Sequence, residues 1–278
     1  MFKYSATQWI YGAEPLEASF KRLRRFGYDG IELAGEPASL DTAEIKRLMA
    51  QYGLSVTSIC GIYTAERDLS SSDPDIRSHA VAYVKACVDL AAEAGAKVLI
   101  VVPSPVGKSA PGTTAREEWS NAVSSLREAG QYAETRGIRL AIEALNRFET
   151  YLVNKLDLAK RLAEEVGMPS VGIMADLFHM NIEERNPCQA IRNIAPYLFH
   201  VHIADNTREA AGLGITDFAA VLRTLIDVGY QGSLTMEFLP AVSNPYAAAS
   251  METDDRAVFD EFTRQSIDHL KGLLAELR

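Results

Sequence analysis

The chain alternates. Eight short β-rich runs recur at intervals of roughly 30 residues, the size of a βα unit, with amphipathic stretches between them. The runs are FKYSATQW (2–9), DGIELAG (29–35), SVTSICGI (55–62), KVLIVVP (97–103), RLAIEALN (139–146), VGIMADLFH (171–179), LFHVHIAD (198–205) and SLTMEFLP (233–240). Stretches such as LEASFKRLRRFG (16–27) and AAVLRTLIDVGY (219–230) carry apolar residues at helical spacing with a glycine near the end. Eight such units predict a single (β/α)8 barrel over residues 1–278. A doubly wound sheet fits less well, because no Gly-x-Gly-x-x-Gly follows the first run. Two long connections, 103–119 and 240–256, fall after the fourth and eighth runs. Both belong to the C-terminal face of the barrel, where such folds carry their sites.

Composition narrows the function classes. At 47% hydrophobic and 23% charged, the 278 residues suit a soluble globular protein. No apolar run approaches the length of a membrane span, and the first residues lack a signal-peptide pattern. Cys60, Cys87 and Cys188 form neither a disulfide framework nor a zinc pattern, so a reducing cytoplasm is expected. A net charge of −9 disfavours nucleic acid or an anionic membrane as partner.

Barrel strands are apolar on both faces, so their charged residues are informative. The fifth run carries Glu143, the sixth Asp176, the seventh His202 and the eighth Glu237, each toward the C-terminal end. A buried, uncompensated charge costs several kcal/mol, and three converging carboxylates repel one another. A divalent cation removes both penalties. Two glutamates, an aspartate and a histidine suit Mn²⁺ first, with Mg²⁺ or Co²⁺ as alternatives, over a structural zinc. Singly, each has an ordinary explanation: a helix cap or ion-pair partner for Glu143 or Asp176, a hydrogen-bonded core histidine for His202. Four at one level of four successive strands is a stronger pattern. His200 is expected to be a core histidine, and His79 and His269 to lie on the surface.

The segments EALNRFETYLVN, ADLFHMNIEE, HVHIADNTR and the late MEF resemble the ketose 3-epimerases, the D-tagatose and D-allulose (psicose) 3-epimerase group of the xylose isomerase-like barrels. The resemblance is specific from about residue 139 to 239. It implies Glu143, Asp176, His202 and Glu237 as metal ligands, and Glu149, His179 and Arg208 as substrate-binding residues. It also implies a reaction. The C–H at C3 of a ketose is acidic because it adjoins the C2 carbonyl. Inverting C3 removes that proton from one face and returns one to the other, through a cis-enediolate. Glu143 and Glu237 are the expected acid–base pair, and the cation a Lewis acid toward O2 and O3.

Some segments depart from the family pattern. NTREAAGLGITDF after the seventh run is short and lacks the tryptophan of the sugar enzymes. The tail AVSNPYAAASMETDD and the loop SPVGKSAPGTTAREEW are this chain's own. Other superfamily chemistries therefore stay open: a keto-sugar acid or a 3-keto-glycoside as substrate, including C-glycoside-cleaving lyases. A DNA-repair nuclease of endonuclease IV type is disfavoured by only five histidines and the negative charge. A non-catalytic sugar-binding protein would not need a complete proton-transfer pair. The expected partner is a small-molecule sugar. A homo-oligomer, dimer or tetramer, is expected, with a hetero-oligomer carrying a small subunit as the alternative.

Overall fold

Parallel neighbours need a crossover, and the amphipathic stretches supply it. In a computed structural model, which describes residues 2–240 and 256–277, the eight runs form eight parallel strands. These are β1 (Lys3–Thr7), β2 (Gly30–Gly35), β3 (Ser55–Gly61), β4 (Val98–Val101), β5 (Arg139–Ile142), β6 (Val171–Asp176), β7 (Leu198–Ile203) and β8 (Ser233–Met236). They pair in chain order, and β8 closes on β1. The helices are α1 (Leu16–Arg25), α2 (Thr42–Tyr52), α3 (Pro74–Ala94), α4 (Ala115–Arg136), α5 (Leu156–Val166), α6 (Leu177–Glu183), α7 (Pro187–Ile194), α8 (Phe218–Asp227) and α9 (Arg256–Glu276). Asp41, Asp73, Thr114 and Asp217 cap α2, α3, α4 and α8 by accepting backbone N–H groups. No helix among the described residues is long and apolar enough to cross a membrane.

Several strands end earlier than their apolar runs. β1 stops at Thr7, and Gln8–Tyr11 turn into a 3-10 helix. β6 stops at Asp176, which becomes the N-cap of α6. Glu143 and Glu237 are therefore not within strands, as expected, but one residue past β5 and β8. Each still extends the ladder by one bond, Glu143 N to Val101 O at 3.0 Å and Glu237 N to Ile203 O at 2.9 Å. His79 is exposed as expected. His269 is not a surface residue: it is half-buried, edge-on to the Phe218 ring at 5.7 Å. Most of residues 240–256 lie outside the described residues.

Two apolar layers hold the molecule together. The larger lies between the strands and the surrounding helices. The smaller contains Cys60, Val98, Ile100, Ala141 and Met174, with Trp9 and Phe199 against it. Side chains alternate along a strand, so residues two apart share a face. Ala141 and Glu143, Met174 and Asp176, His200 and His202, and Thr235 and Glu237 are such pairs. Asp176 and His202 stand opposite each other in the β6–β7 register, and Met174 stands opposite His200.

Candidate metal centre at the barrel mouth

Strand alternation and barrel closure bring Glu143, Asp176, His202 and Glu237 together. One ligand-capable atom of each lies within 4.8 Å of those of the others, and all four side chains are buried. Asp176 Oδ1 accepts the amides of Phe178 and His179 at 2.7 and 3.2 Å, which starts α6 and fixes the carboxylate. Asp176 Oδ2 and His202 Nδ1 face the cluster, 3.7 Å apart. Both are buried without a hydrogen-bond partner among the described residues. Leaving such an atom unsatisfied costs about 1–3 kcal/mol. Their lone pairs and the flanking carboxylates form a donor set that fits a divalent cation.

The other nitrogen of His202 explains why Nδ1 is offered. Nε2 lies 3.0 Å from Glu32 Oε1, deep in the barrel. With Nε2 directed at Glu32, Nδ1 is the nitrogen that turns to the cluster, 3.2 Å from Glu237 Oε2. Glu32 is fully buried on β2 and also takes Ser58 Oγ at 2.6 Å and His200 Nε2 at 2.9 Å. His200 is thus the hydrogen-bonded core histidine expected of it. Although burial opposes charge on both groups, the two histidines hold the Glu32 carboxyl well below its ordinary range. Around His202, burial is likewise outweighed by Glu237 and Glu32, which raise the imidazole pKa. Burial and the Glu237 charge push Glu143 well above the usual carboxylate range.

The remaining candidates stand just outside this cluster. His179, the third residue of α6, has Nε2 3.9 Å from both Glu143 Oε1 and Asp176 Oδ2. Its Nδ1 accepts the Asn146 backbone N–H at 3.2 Å, so the proton resides on Nε2 and points into the site. Burial lowers its pKa, which favours the neutral ring. Glu149 lies in the loop after β5, not in the first turn of a helix, and its Oε1 accepts from Asn146 Nδ2 at 2.8 Å. Arg208 is buried and sits 3.3 Å from Glu237 Oε2 and 3.7 Å from Glu149 Oε1. Its guanidinium stacks on Phe178, 4.6 Å from the ring centroid.

Arg208 also has a left-handed backbone, φ 63°, which costs a non-glycine residue about 1–3 kcal/mol. Its own N–H to Asp205 O (2.9 Å) and the Leu239 N–H to its carbonyl (2.7 Å) impose that turn. Asp205 organises the rest of the loop by accepting the amides of Asn206, Gly212, Gly214 and Thr216. A Cβ on Gly214 would lie 2.4 Å from Asp205 Oδ1, so only glycine fits there. Three residues of the site were not singled out by sequence. Glu32 backs His202. Asn146 joins His179 to Glu149. Trp9, carried to the mouth by the 3-10 turn, donates its indole N–H to Glu237 Oε1 at 3.1 Å.

The family model for the xylose isomerase-like TIM barrel matches residues 20–255. D-psicose 3-epimerase of Ruminiclostridium cellulolyticum is 32% identical over 82% of this chain and 81% of its own. 3-Dehydro-D-guloside 4-epimerase of Escherichia coli is 32% identical over 81% of this chain and 87% of its own. Among solved structures, D-psicose 3-epimerase from Clostridium cellulolyticum, determined with D-tagatose, superposes with a TM-score of 0.87 at 27% identity, covering 98% of this chain and 99% of that one. The Escherichia coli 3-keto-D-glucoside 4-epimerase superposes at 0.83, again with 27% identity, over 98% and 100%. The chain belongs to the xylose isomerase-like TIM-barrel family and, within it, to the carbohydrate epimerases that include the ketose 3-epimerases.

Proposed function

We propose that this protein inverts a carbon beside the ketone of a neutral sugar, C3 of a ketose in the first instance, with one divalent cation held by Glu143, Asp176, His202 and Glu237. The carrying observation is that carboxylates from the ends of β5 and β8 meet in one buried cluster, beside His179, whose Nε2 lies 3.9 Å from Glu143 and Asp176. Mn²⁺ suits the oxygen-rich donor set best, ahead of Mg²⁺ and Co²⁺. When bound, the cation supplies Lewis-acid stabilisation of negative charge on the substrate oxygens. Glu143 and Glu237, three strands apart, reach the reacting carbon from opposite faces. One removes the α-proton and the other returns one, with a cis-enediolate between. Positioned proton transfer of this kind contributes about 10²–10⁴-fold. His179 Nε2–H and the Arg208 guanidinium donate to the oxygens that gain charge, and Glu149 accepts from a substrate hydroxyl.

The charge at the mouth supports a neutral substrate. Arg208 faces Glu149 and Glu237, Arg147 pairs with Glu183, and Lys108 pairs with Asp68 and Glu118. Residues 241–255 contain no lysine or arginine. A keto-sugar acid or a sugar phosphate finds no uncommitted cation among these groups. A 3-keto-glycoside inverted at C4 is the second reading, prompted by the Escherichia coli 4-epimerase matches. It uses the same proton chemistry beside a ketone. Incubation of the Mn²⁺-loaded protein with ketoses and 3-keto-glycosides in D₂O, followed by NMR, separates the two. Deuterium is expected at the inverted carbon. Glu143→Gln and Glu237→Gln should each cut epimerisation about 10²–10⁴-fold with metal retained. Full turnover in metal-loaded Glu237→Gln would eliminate the two-base mechanism.

A further inference from the structure

The connection after β4, residues 102–114, is rich in proline, glycine and serine and borders the mouth. Such a segment is ordinarily mobile. Here a buried ion cluster ties it down. The Lys108 ammonium lies 2.7 Å from Asp68 Oδ2, in the connection after β3, and 2.5 Å from Glu118 Oε2, in the first turn of α4. Ser70 Oγ is a third neighbour at 3.1 Å. Both carboxylates are buried. Glu118 Oε1 accepts the Gly112 amide at 2.7 Å, and the Tyr151 hydroxyl donates to Glu118 Oε2. One lysine therefore joins the connections after β3 and β4 to the start of α4.

The tied loop in turn grips the segment that carries Glu149. The Gly107 amide donates to the Glu149 carbonyl at 2.7 Å. Gly107 has φ 91°, a conformation open chiefly to glycine, and this turn aims its N–H at that carbonyl. Next along the chain, the Thr150 hydroxyl lies 2.6 Å from Ser104 Oγ and donates to the Ser104 and Lys108 carbonyls at 3.3 and 3.4 Å. We infer that Lys108 is a positioning residue for Glu149: its ion pairs with Asp68 and Glu118 fix the β4–α4 connection, whose Gly107 amide holds the Glu149 backbone at the mouth. The connection is a fixed wall of the sugar site and not a lid. This rests on the substrate-binding role proposed for Glu149.

The test uses the full-length, Mn²⁺-loaded protein and Lys108→Met. Hydrogen exchange at the Gly107 amide should accelerate at least about tenfold, while Mn²⁺ affinity and stoichiometry stay unchanged. On the sugar that the wild type epimerises, kcat/KM should fall by about ten- to a hundredfold, the cost of slight misplacement of a binding group. In a Glu149→Gln background the same substitution should add little, because its effect runs through Glu149. If Lys108→Met does not fold, Thr150→Val removes the hydroxyl contacts to Ser104 and Lys108 and should show the same pattern more weakly. Unchanged exchange at Gly107, or a full additional loss in the Glu149→Gln background, overturns the inference. A wild type that epimerises no sugar refutes the functional reading alone, and the exchange at Gly107 still decides the clamp.

Discussion

Glu32 touches no atom of the four-residue cluster except through His202, and this makes its substitution diagnostic. Three donors converge on its carboxylate: His202 Nε2 at 3.0 Å, His200 Nε2 at 2.9 Å and Ser58 Oγ at 2.6 Å. Glu32→Gln keeps the size and one acceptor oxygen but turns the other oxygen into an N–H₂ donor. At least one buried donor then meets another donor. That costs about 1–3 kcal/mol of folding stability at a side chain that is fully buried. If His202 loses its acceptor, its ring can flip or shift its proton to Nδ1, the atom proposed to bind the metal. Loss of such a backing partner lowers metal affinity about 10–100-fold. At about 1.4 kcal/mol per tenfold, this corresponds to about 1.4–2.8 kcal/mol. Competition against a metallochromic chelator measures the affinity, and urea denaturation of the metal-free protein measures the stability. If Glu32→Gln binds Mn²⁺ as tightly as the wild type, His202 does not present Nδ1 to a cation.

Three further outcomes follow from other parts of the molecule. Removing metal with a chelator should lower the thermal midpoint, and Mn²⁺ at a hundred times its dissociation constant should restore about 2.7 kcal/mol; a midpoint indifferent to Mn²⁺ and Mg²⁺ argues against the centre. Glu149→Ala and Arg208→Ala should keep the metal and lose kcat/KM, whereas loss of metal by a folded variant of either would place that residue among the ligands. Arg22 pairs with Glu14 and Asp260 and lies 4.5 Å from the Tyr11 ring centroid, so Arg22→Met should strand the buried Glu14 and cost about 3–5 kcal/mol in denaturant unfolding; a loss below 1 kcal/mol would mean that Glu14 finds another partner.

The fold was legible because strands buried on both faces read as short apolar runs, and all eight runs became strands. Their ends were less legible. Hydrophobicity continues through Trp9, Leu177 and Leu239 for reasons other than strand pairing: a 3-10 turn at the mouth, the start of α6 and a loop packed on the core. Glu143, Asp176, His202 and Glu237 stood out as charges on apolar strands. Glu32 in GIELAG carries the same signal, but it lies on β2, outside the consecutive β5–β8 and next to them only once β8 closes on β1. Asn146 closes the fifth β-rich run without a signal of its own, and only the fold shows its amide between His179 and Glu149. The Lys108 cluster could not be read at all. Its partners are 40 and 10 positions away, in the connection after β3 and the first turn of α4, and no spacing rule links them.

The interior chemistry of the barrel follows from what each of the four residues needs behind it. Asp176 is backed locally, by amides of the helix it starts, so β6 can bury the apolar Met174 beneath it. Glu237 is backed at the surface layer, by Trp9 and Arg208 from two other connections. His202 is different. An imidazole that offers one nitrogen to a metal must give the proton on the other to an acceptor, and that acceptor lies deeper in the barrel. Glu32 fills the position, but a carboxylate there needs donors of its own, so His200 and Ser58 must also be polar. Thr235 beside His202 pairs with Ser5 across β8 and β1 at 2.5 Å and continues the polar side. Ile100, Ala141 and Met174 on β4, β5 and β6 face no such demand, and the interior is apolar there. Under the proposed metal centre, the polar half of the barrel follows from using a histidine as a ligand. Replacing the site by carboxylates alone would remove the reason for Glu32, His200 and Ser58.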